Sequence, residues 1–168
     1  MASFNDLEYC YSQENTVTEE KLVAWETEME LKIPQQYRDF LLIFKAGVPR
    51  FNRFAYYSLG DYYDDGSIKH ALVTEFFTTL CEDDGPAYDV AGQFFGCYGE
   101  IPDWLLPFTN DAAGSYICIA HKGENEGKVY YWNRDYYSYD RHDPNEDTLT
   151  LLTSSFNKFV QKVQFYEK

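Results

Sequence analysis

The sequence predicts an α+β fold: one domain with a central, mostly antiparallel, twisted sheet, an N-terminal helix pair and a C-terminal helix packed against it. Three observations carry this. Apolar residues recur at helical spacing near both ends of the chain, short β-rich runs occupy the middle, and two of those runs flank a glycine-punctuated polar loop. At 168 residues the chain fits a single domain spanning 1–168, with its core at about 18–165. A domain of that size buries roughly 70% of the surface its unfolded chain exposes, enough for one core without disulfides.

The first helix is expected from about residue 18 to 30. Thr16 with Glu19 offers a capping box, and Thr18 followed by Glu19 and Glu20 offers a cap with acids in the first turn. Leu22, Trp25 and Met29 fall on one stripe, which is core. Pro34 suits the first turn of a second helix, in which Tyr37, Phe40, Leu41 and Phe44 recur at i, i+3, i+4 and i+7, with Gly47 as its closing C′ glycine.

After Pro49 the pattern becomes β-rich at about 51–58 and 68–77, which reads as a hairpin with a polar tip over 59–66. Residues 81–86 form a loop by composition, and the spacing of Val90 and Phe94 with Cys97 or Tyr98 predicts a helix over 88–98. Residues 101–107 lead into the stretch around which the chain is organised, a hairpin made of 116–120 and 129–132 joined by a loop containing Gly123 and Gly127. Gly114 supplies positive φ to the turn feeding its first strand.

On that hairpin Ile117 and Ile119 point one way, and Tyr116, Cys118 and Ala120 the other. Val129 and Tyr131 share one face, Tyr130 and Trp132 the opposite one. Neither face is polar, so the expectation is helices on one face and an aromatic-lined surface on the other. A tyrosine- and aspartate-rich connection over 135–147 follows. The chain then ends in a helix capped by Ser154 or Ser155, with Phe156, Phe159, Val160 and Val163 on its buried stripe.

Composition narrows the function. Twenty-eight acids against 14 bases give a formal net charge of −14 with no run of Lys or Arg, so a phosphate backbone would be repelled and direct nucleic-acid binding is disfavoured. A field of that sign steers basic partners toward the protein and also keeps it soluble. Aromatics make up 19% of the chain, more than its core needs, which places some of its 16 tyrosines at the surface, where they serve as contact residues. Four cysteines without a CxxC pair, an N-terminus lacking a signal-like pattern and no apolar run of about 20 residues point to a reduced, cytoplasmic, soluble protein without a membrane role.

No chemistry-bearing motif stands out. His70, His121 and His142 are scattered, and there is no HxxxH, GxSxG or phosphate loop. The Asp61, Asp64, Asp65, Gly66 cluster lacks the alternating ligands and terminal Glu of a calcium loop. Neither catalytic residues, nor a metal, nor a cofactor is expected. The candidate contact residues are aromatic and acidic: Tyr57, Asp61, Tyr62, Tyr63, Asp64 and Asp65 around the first hairpin's tip, and Asp135, Tyr136, Tyr137 and Tyr139 after the second. If the two hairpins were sheet neighbours, these would merge into one surface. The competing readings are a solvated tip and sheet-edge packing.

In order along the chain, these landmarks resemble the SUKH superfamily, which includes the fungal glucan-synthesis regulators and many bacterial immunity proteins. The resemblance rests on Thr18-Glu19-Glu20, on Leu31, Ile33, Pro34, Tyr37, Phe40 and Leu41, and on Leu105, Pro107 and Phe108. It continues through Asp111, Gly114, Tyr116, Cys118 and Ile119, then Gly127, Val129, Tyr130 and Trp132, and closes on Ser155, Phe156 and Phe159. Lys45-Ala46-Gly47 departs from the Asn-Gly-Gly common in the family. The resemblance adds Asp111 and Trp132 to the candidates, although Asp111 also suits a turn and Trp132 a core anchor. It implies neutralisation of a cognate toxin domain by direct binding, with a cellular adaptor of the glucan-synthesis-regulator type as the alternative. Charge suggests that the toxin is basic, such as a nuclease.

Overall fold

The computed structural model of the chain describes residues 9–12, 17–43, 47–49, 53–62, 68–73, 75–76, 99–110, 114–134, 148–162 and 164–167, with side chains at 17–43, 99–110, 114–134 and 148–162. Its elements run β1 (Tyr9–Ser12), α1 (Glu19–Glu28), α2 (Gln35–Ile43), β2 (Gly47–Pro49), β3 (Arg53–Tyr62), β4 (Ile68–Val73), β5 (Glu75–Phe76) and β6 (Leu105–Asn110). They continue through β7 (Tyr116–Ala120), β8 (Val129–Trp132), β9 (Leu149–Thr153), α3 (Phe156–Lys162) and β10 (Gln164–Glu167). The fold is α+β, with helices flanking an antiparallel sheet.

The main sheet has the order β1-β2-β5-β6-β7-β8-β9, and a smaller one has the order β10-β3-β4. The two share one long hairpin. Only Thr74 separates β4 from β5, and only residues 50–52 separate β2 from β3, so the hairpin's base lies in the main sheet and its distal part in the smaller one.

α1 begins where its chemistry dictates. Thr18 is the N-cap, its Oγ1 accepting from the Lys21 amide at 3.3 Å. The helix stops in a Schellman arrangement: the Leu31 amide reaches back to the Glu26 carbonyl at 3.1 Å, and Glu30 takes the left-handed position with φ 52°. A buried arginine joins α1 to α2. Arg38 contacts Glu19 at 2.6 Å and Glu26 at 2.8 Å, and Glu26 also accepts the Ile33 amide at 2.7 Å, which fixes the interhelical link. The Glu19 hydrogen bond is the main reason the Arg38 guanidinium is held above its ordinary pKa, against the effect of burial.

The three helices among the described residues cover one face of the main sheet. Leu22 and Trp25 of α1, Tyr37, Phe40 and Leu41 of α2, and Phe156 and Phe159 of α3 pack on Leu106, Phe108, Ile117, Ile119, Val129 and Tyr131. Aromatic rings form its centre: Phe156 lies 5.2 Å from both Tyr37 and Phe108 and 5.1 Å from Phe40, in tilted or edge-on geometry. α3 is capped from two directions, by Ser155 Oγ on the Lys158 amide and by Gln36 of α2 on the Asn157 amide.

Several elements differ from the sequence reading. Residues 105–107, the end of the expected lead-in over 101–107, instead open a strand, Leu105–Asn110, between β5 and β7; Pro107 lies at a register shift, and Phe108 is buried in the core with Leu106. β3 runs through Gly60 to Tyr62, past the expected tip boundary, with a second register shift between Ser58 and Tyr62. Gly47 opens β2 opposite Ser12 and Phe76 rather than closing α2, which ends at Ile43. The last helix is followed by β10, whose Phe165 pairs with Ala55. The expected helix over 88–98 and the connection over 135–147 lie outside the described residues.

Candidate protein-binding site

Strand alternation gives the main sheet a second apolar face, opposite the helices. Two cross-strand rows define it: Tyr116, Trp132 and Leu149, then Cys118, Tyr130 and Leu151. At the bottom of this layer Leu105, Cys118, Ala120 and Trp132 are buried, together with Ile101 from the segment before β6. The expected open aromatic surface is therefore a second, smaller core. Its exposed crest is narrower and consists of Trp104 and Tyr130, both half-buried and edge-to-face at 5.2 Å, beside Leu151 at 53% exposure.

Trp104 is positioned by three bonds that tie its segment to the end of β7. The His121 amide donates to the Trp104 carbonyl at 2.9 Å, the His121 ring Nε2 donates to the Asp103 carbonyl at 2.9 Å, and Lys122 Nζ meets Asp103 Oδ2 at 2.7 Å. His121 is buried, and that burial is the main influence lowering its pKa. The β7–β8 loop is equally determined. The Gly127 amide bonds the Ala120 carbonyl at 2.8 Å, and Gly123 and Gly127 adopt φ of 79° and 81°.

The crest is bordered by charges of both signs, Asp103, Glu124 and Glu126 against Lys122 and Lys128. Asp103 is 79% exposed at its side chain, and Glu124 and Glu126 are exposed. Tyr130's phenol is held above its ordinary pKa by burial first and then by the charge of Glu124, so a carboxylate stands close enough to the aromatic pair to be felt electrostatically. Aromatic anchors half-sunk in a sheet and bordered by Asp103, Glu124 and Glu126, with Lys122 paired to Asp103, are suited to holding a protein surface that carries compensating charge. The described residues contain no group of three potential metal ligands, and Cys118 and His121 are both buried.

Of the candidates named from sequence, Trp132 is fully buried, packed with Tyr116 at a ring separation of 5.9 Å, and supports the crest from beneath. Tyr57, Asp61 and Tyr62 lie on β3, where Tyr57 pairs with Ala71 and Tyr62 with Ile68. That hairpin is in the smaller sheet and, among the described residues, is not a hydrogen-bonded neighbour of β7 and β8. Tyr63, Asp64, Asp65, Asp111, Asp135, Tyr136, Tyr137 and Tyr139 lie outside the described residues. Trp104 and Leu151 are crest residues that the sequence reading did not single out. Trp104's signal was an exposed-type aromatic between Asp103 and a β-run, whereas Leu151 had none without knowing which strand it pairs with.

The fold is that of a helix-backed, antiparallel α+β protein. Residues 16–162 match the family model of the SMI1 / KNR4 family (SUKH-1), and the chain belongs to that family. Comparison with curated proteins and with solved structures gave no match. No helix among the described residues is long and apolar enough to cross a membrane.

Proposed function

We propose that this chain is an immunity-type protein that binds a cognate bacterial toxin domain and neutralises it without catalysing a reaction. Membership of a family whose members serve in immunity or regulation, and are generally non-catalytic, supports the class. The observation that carries the reading is the Trp104–Tyr130–Leu151 crest in a chain of net charge −14. The aromatics supply affinity and the acids steer a basic toxin, such as a nuclease, toward the face. The Tyr57, Asp61 and Tyr62 hairpin and the tyrosines over 136–139 extend the proposed contact set.

The test is co-expression with a panel of toxin C-terminal domains, paired with pull-downs at low and high salt. Protection against one basic toxin, with stoichiometric retention and association that slows as salt rises, is the expected result. Retention of cellular proteins without protection from any toxin would favour the adaptor reading.

A further inference from the structure

We infer that β9 is an open docking edge, and that the partner segment it accepts is an extended, basic one that joins the main sheet as an additional antiparallel strand. This rests on the inhibitor reading for the partner's identity but not for the edge itself.

The phase of the β8–β9 ladder settles which groups face outward. The Asn133 amide donates to the Thr148 carbonyl at 2.9 Å, so this is a hydrogen-bonded pair. Along the register Trp132↔Leu149, Tyr131↔Thr150, Tyr130↔Leu151, bonded and non-bonded pairs alternate, which makes Leu149 and Leu151 the non-bonded residues. The other side of β8 agrees. The Ala120 amide donates to Lys128, which puts Tyr130 in a bonded pair with Cys118 and turns its backbone groups away from β9. The N–H and C=O of Leu149 and Leu151 therefore point away from β8, and among the described residues no strand lies beyond them.

Edges of this kind are normally protected by Lys, Pro or a short length. β9 reads Leu149, Thr150, Leu151, Leu152, Thr153, with no charge and no proline, and its register shift comes only after Leu151. An incoming strand beside Leu149 and Leu151 would set alternate side chains against the Trp104–Tyr130 crest, joining backbone pairing to the aromatic anchors. Charge selects the occupant. Around the crest Asp103 is paired with Lys122, and Glu124 and Glu126 stand beside Lys128, so the local balance is only slightly acidic and the stronger bias is the chain's net charge of −14. A second copy of the chain brings another −14, whereas a Lys- or Arg-bearing strand is attracted.

The test uses the full chain and a short peptide alternating Lys and Val, with an Asp/Val peptide as control, read by amide hydrogen exchange and NMR shifts. The expected result is slowed exchange at Leu149 and Leu151 with the Lys/Val peptide only. Leu151→Pro removes an outward N–H that β8 does not use, so the ladder survives while peptide affinity falls by about tenfold or more. Leu151→Lys, which keeps every backbone group but repels the peptide, guards against misfolding of the proline variant. Unchanged exchange at both leucines, equal binding by both variants, or a dimer that protects the same amides without peptide would overturn the docking edge. A toxin neutralised equally by Leu151→Pro and the parent chain would remove the edge and leave the inhibitor reading. Peptide capture by a chain that neutralises no toxin would do the reverse.

Discussion

The imidazole of His121 donates from Nε2 to the backbone carbonyl of Asp103 at 2.9 Å, and through this bond the end of β7 holds the segment that presents Trp104. Burial lowers the His121 pKa below its ordinary 6.5, so the unfolded chain takes up this proton before the folded one does. As pH falls below 6.5 toward the folded value, the unfolded state binds more protons and stability drops. Above 6.5 the contribution is flat. Denaturant midpoints measured across this window should fall with acidification in the parent chain, and His121→Leu should flatten that slope, whatever its effect on absolute stability.

Trp104 and Trp132 belong to one face but differ in depth, and substitution should separate their roles. Trp104→Ala, at a half-exposed site, is expected to weaken partner binding by about 2 kcal/mol or more, roughly 30-fold, with a modest change in melting temperature. Trp132→Ala, at a fully buried one, should cost about 3–5 kcal/mol of stability. Calorimetry of binding and thermal melts on the same pair of variants checks both.

Arg38 is buried with two carboxylates, and the asymmetry between them predicts unequal costs. Glu19 is 56% exposed at its side chain, so Glu19→Gln should cost only about 0–1 kcal/mol. Arg38→Ala leaves Glu26, 15% exposed, without its guanidinium partner, and should cost about 2–4 kcal/mol. Urea unfolding of the two variants gives the comparison.

Glu30 occupies the left-handed C′ position that glycine usually fills after a helix. Its side chain is exposed, so nothing in the core depends on it. Glu30→Gly relieves backbone strain but adds freedom to the unfolded chain, and a net gain of about 0.5–1 kcal/mol in urea unfolding is expected. A loss of stability would show that the Schellman turn is held by more than its backbone.

What was legible in sequence follows from how local each signal is. α1 was readable because Thr18, the two following acids and the Leu22–Trp25–Met29 stripe all lie within a dozen residues. The two faces of β7 and β8 were readable because alternation needs no partner. β10 was not, since the helical period of Phe156 and Phe159 leaves few residues after it and the pairing partner, β3, is over a hundred residues away. β6 was obscured by Pro107, which argues against a central strand until the bulge beside it is known. The crest shows the same division. Tyr130 follows from alternation, whereas Leu151 reaches that face only through the register of β9 on β8, a non-local fact.

Gly114 and Gly123 form a natural pair of probes, because both hold positive φ, 84° and 79°, yet have different surroundings. A Cβ at Gly123 would meet nothing within 4 Å, so Gly123→Ala should cost only the left-handed strain, about 1–2 kcal/mol. A Cβ at Gly114 would sit 3.3 Å from the Arg134 guanidinium, the far end of a flexible side chain that can give way. The Arg134 amide, however, donates to Ser115 Oγ at 3.2 Å, so the backbones at the start of β7 and the end of β8 are tied at this point. If the guanidinium moves freely, Gly114→Ala and Gly123→Ala will cost the same within about 0.5 kcal/mol. If Arg134 packs over Gly114 as part of the β7–β8 junction, Gly114→Ala will cost more, and Arg134→Ala in the same background will cancel the excess, a coupling that a double-mutant cycle by urea unfolding reads directly.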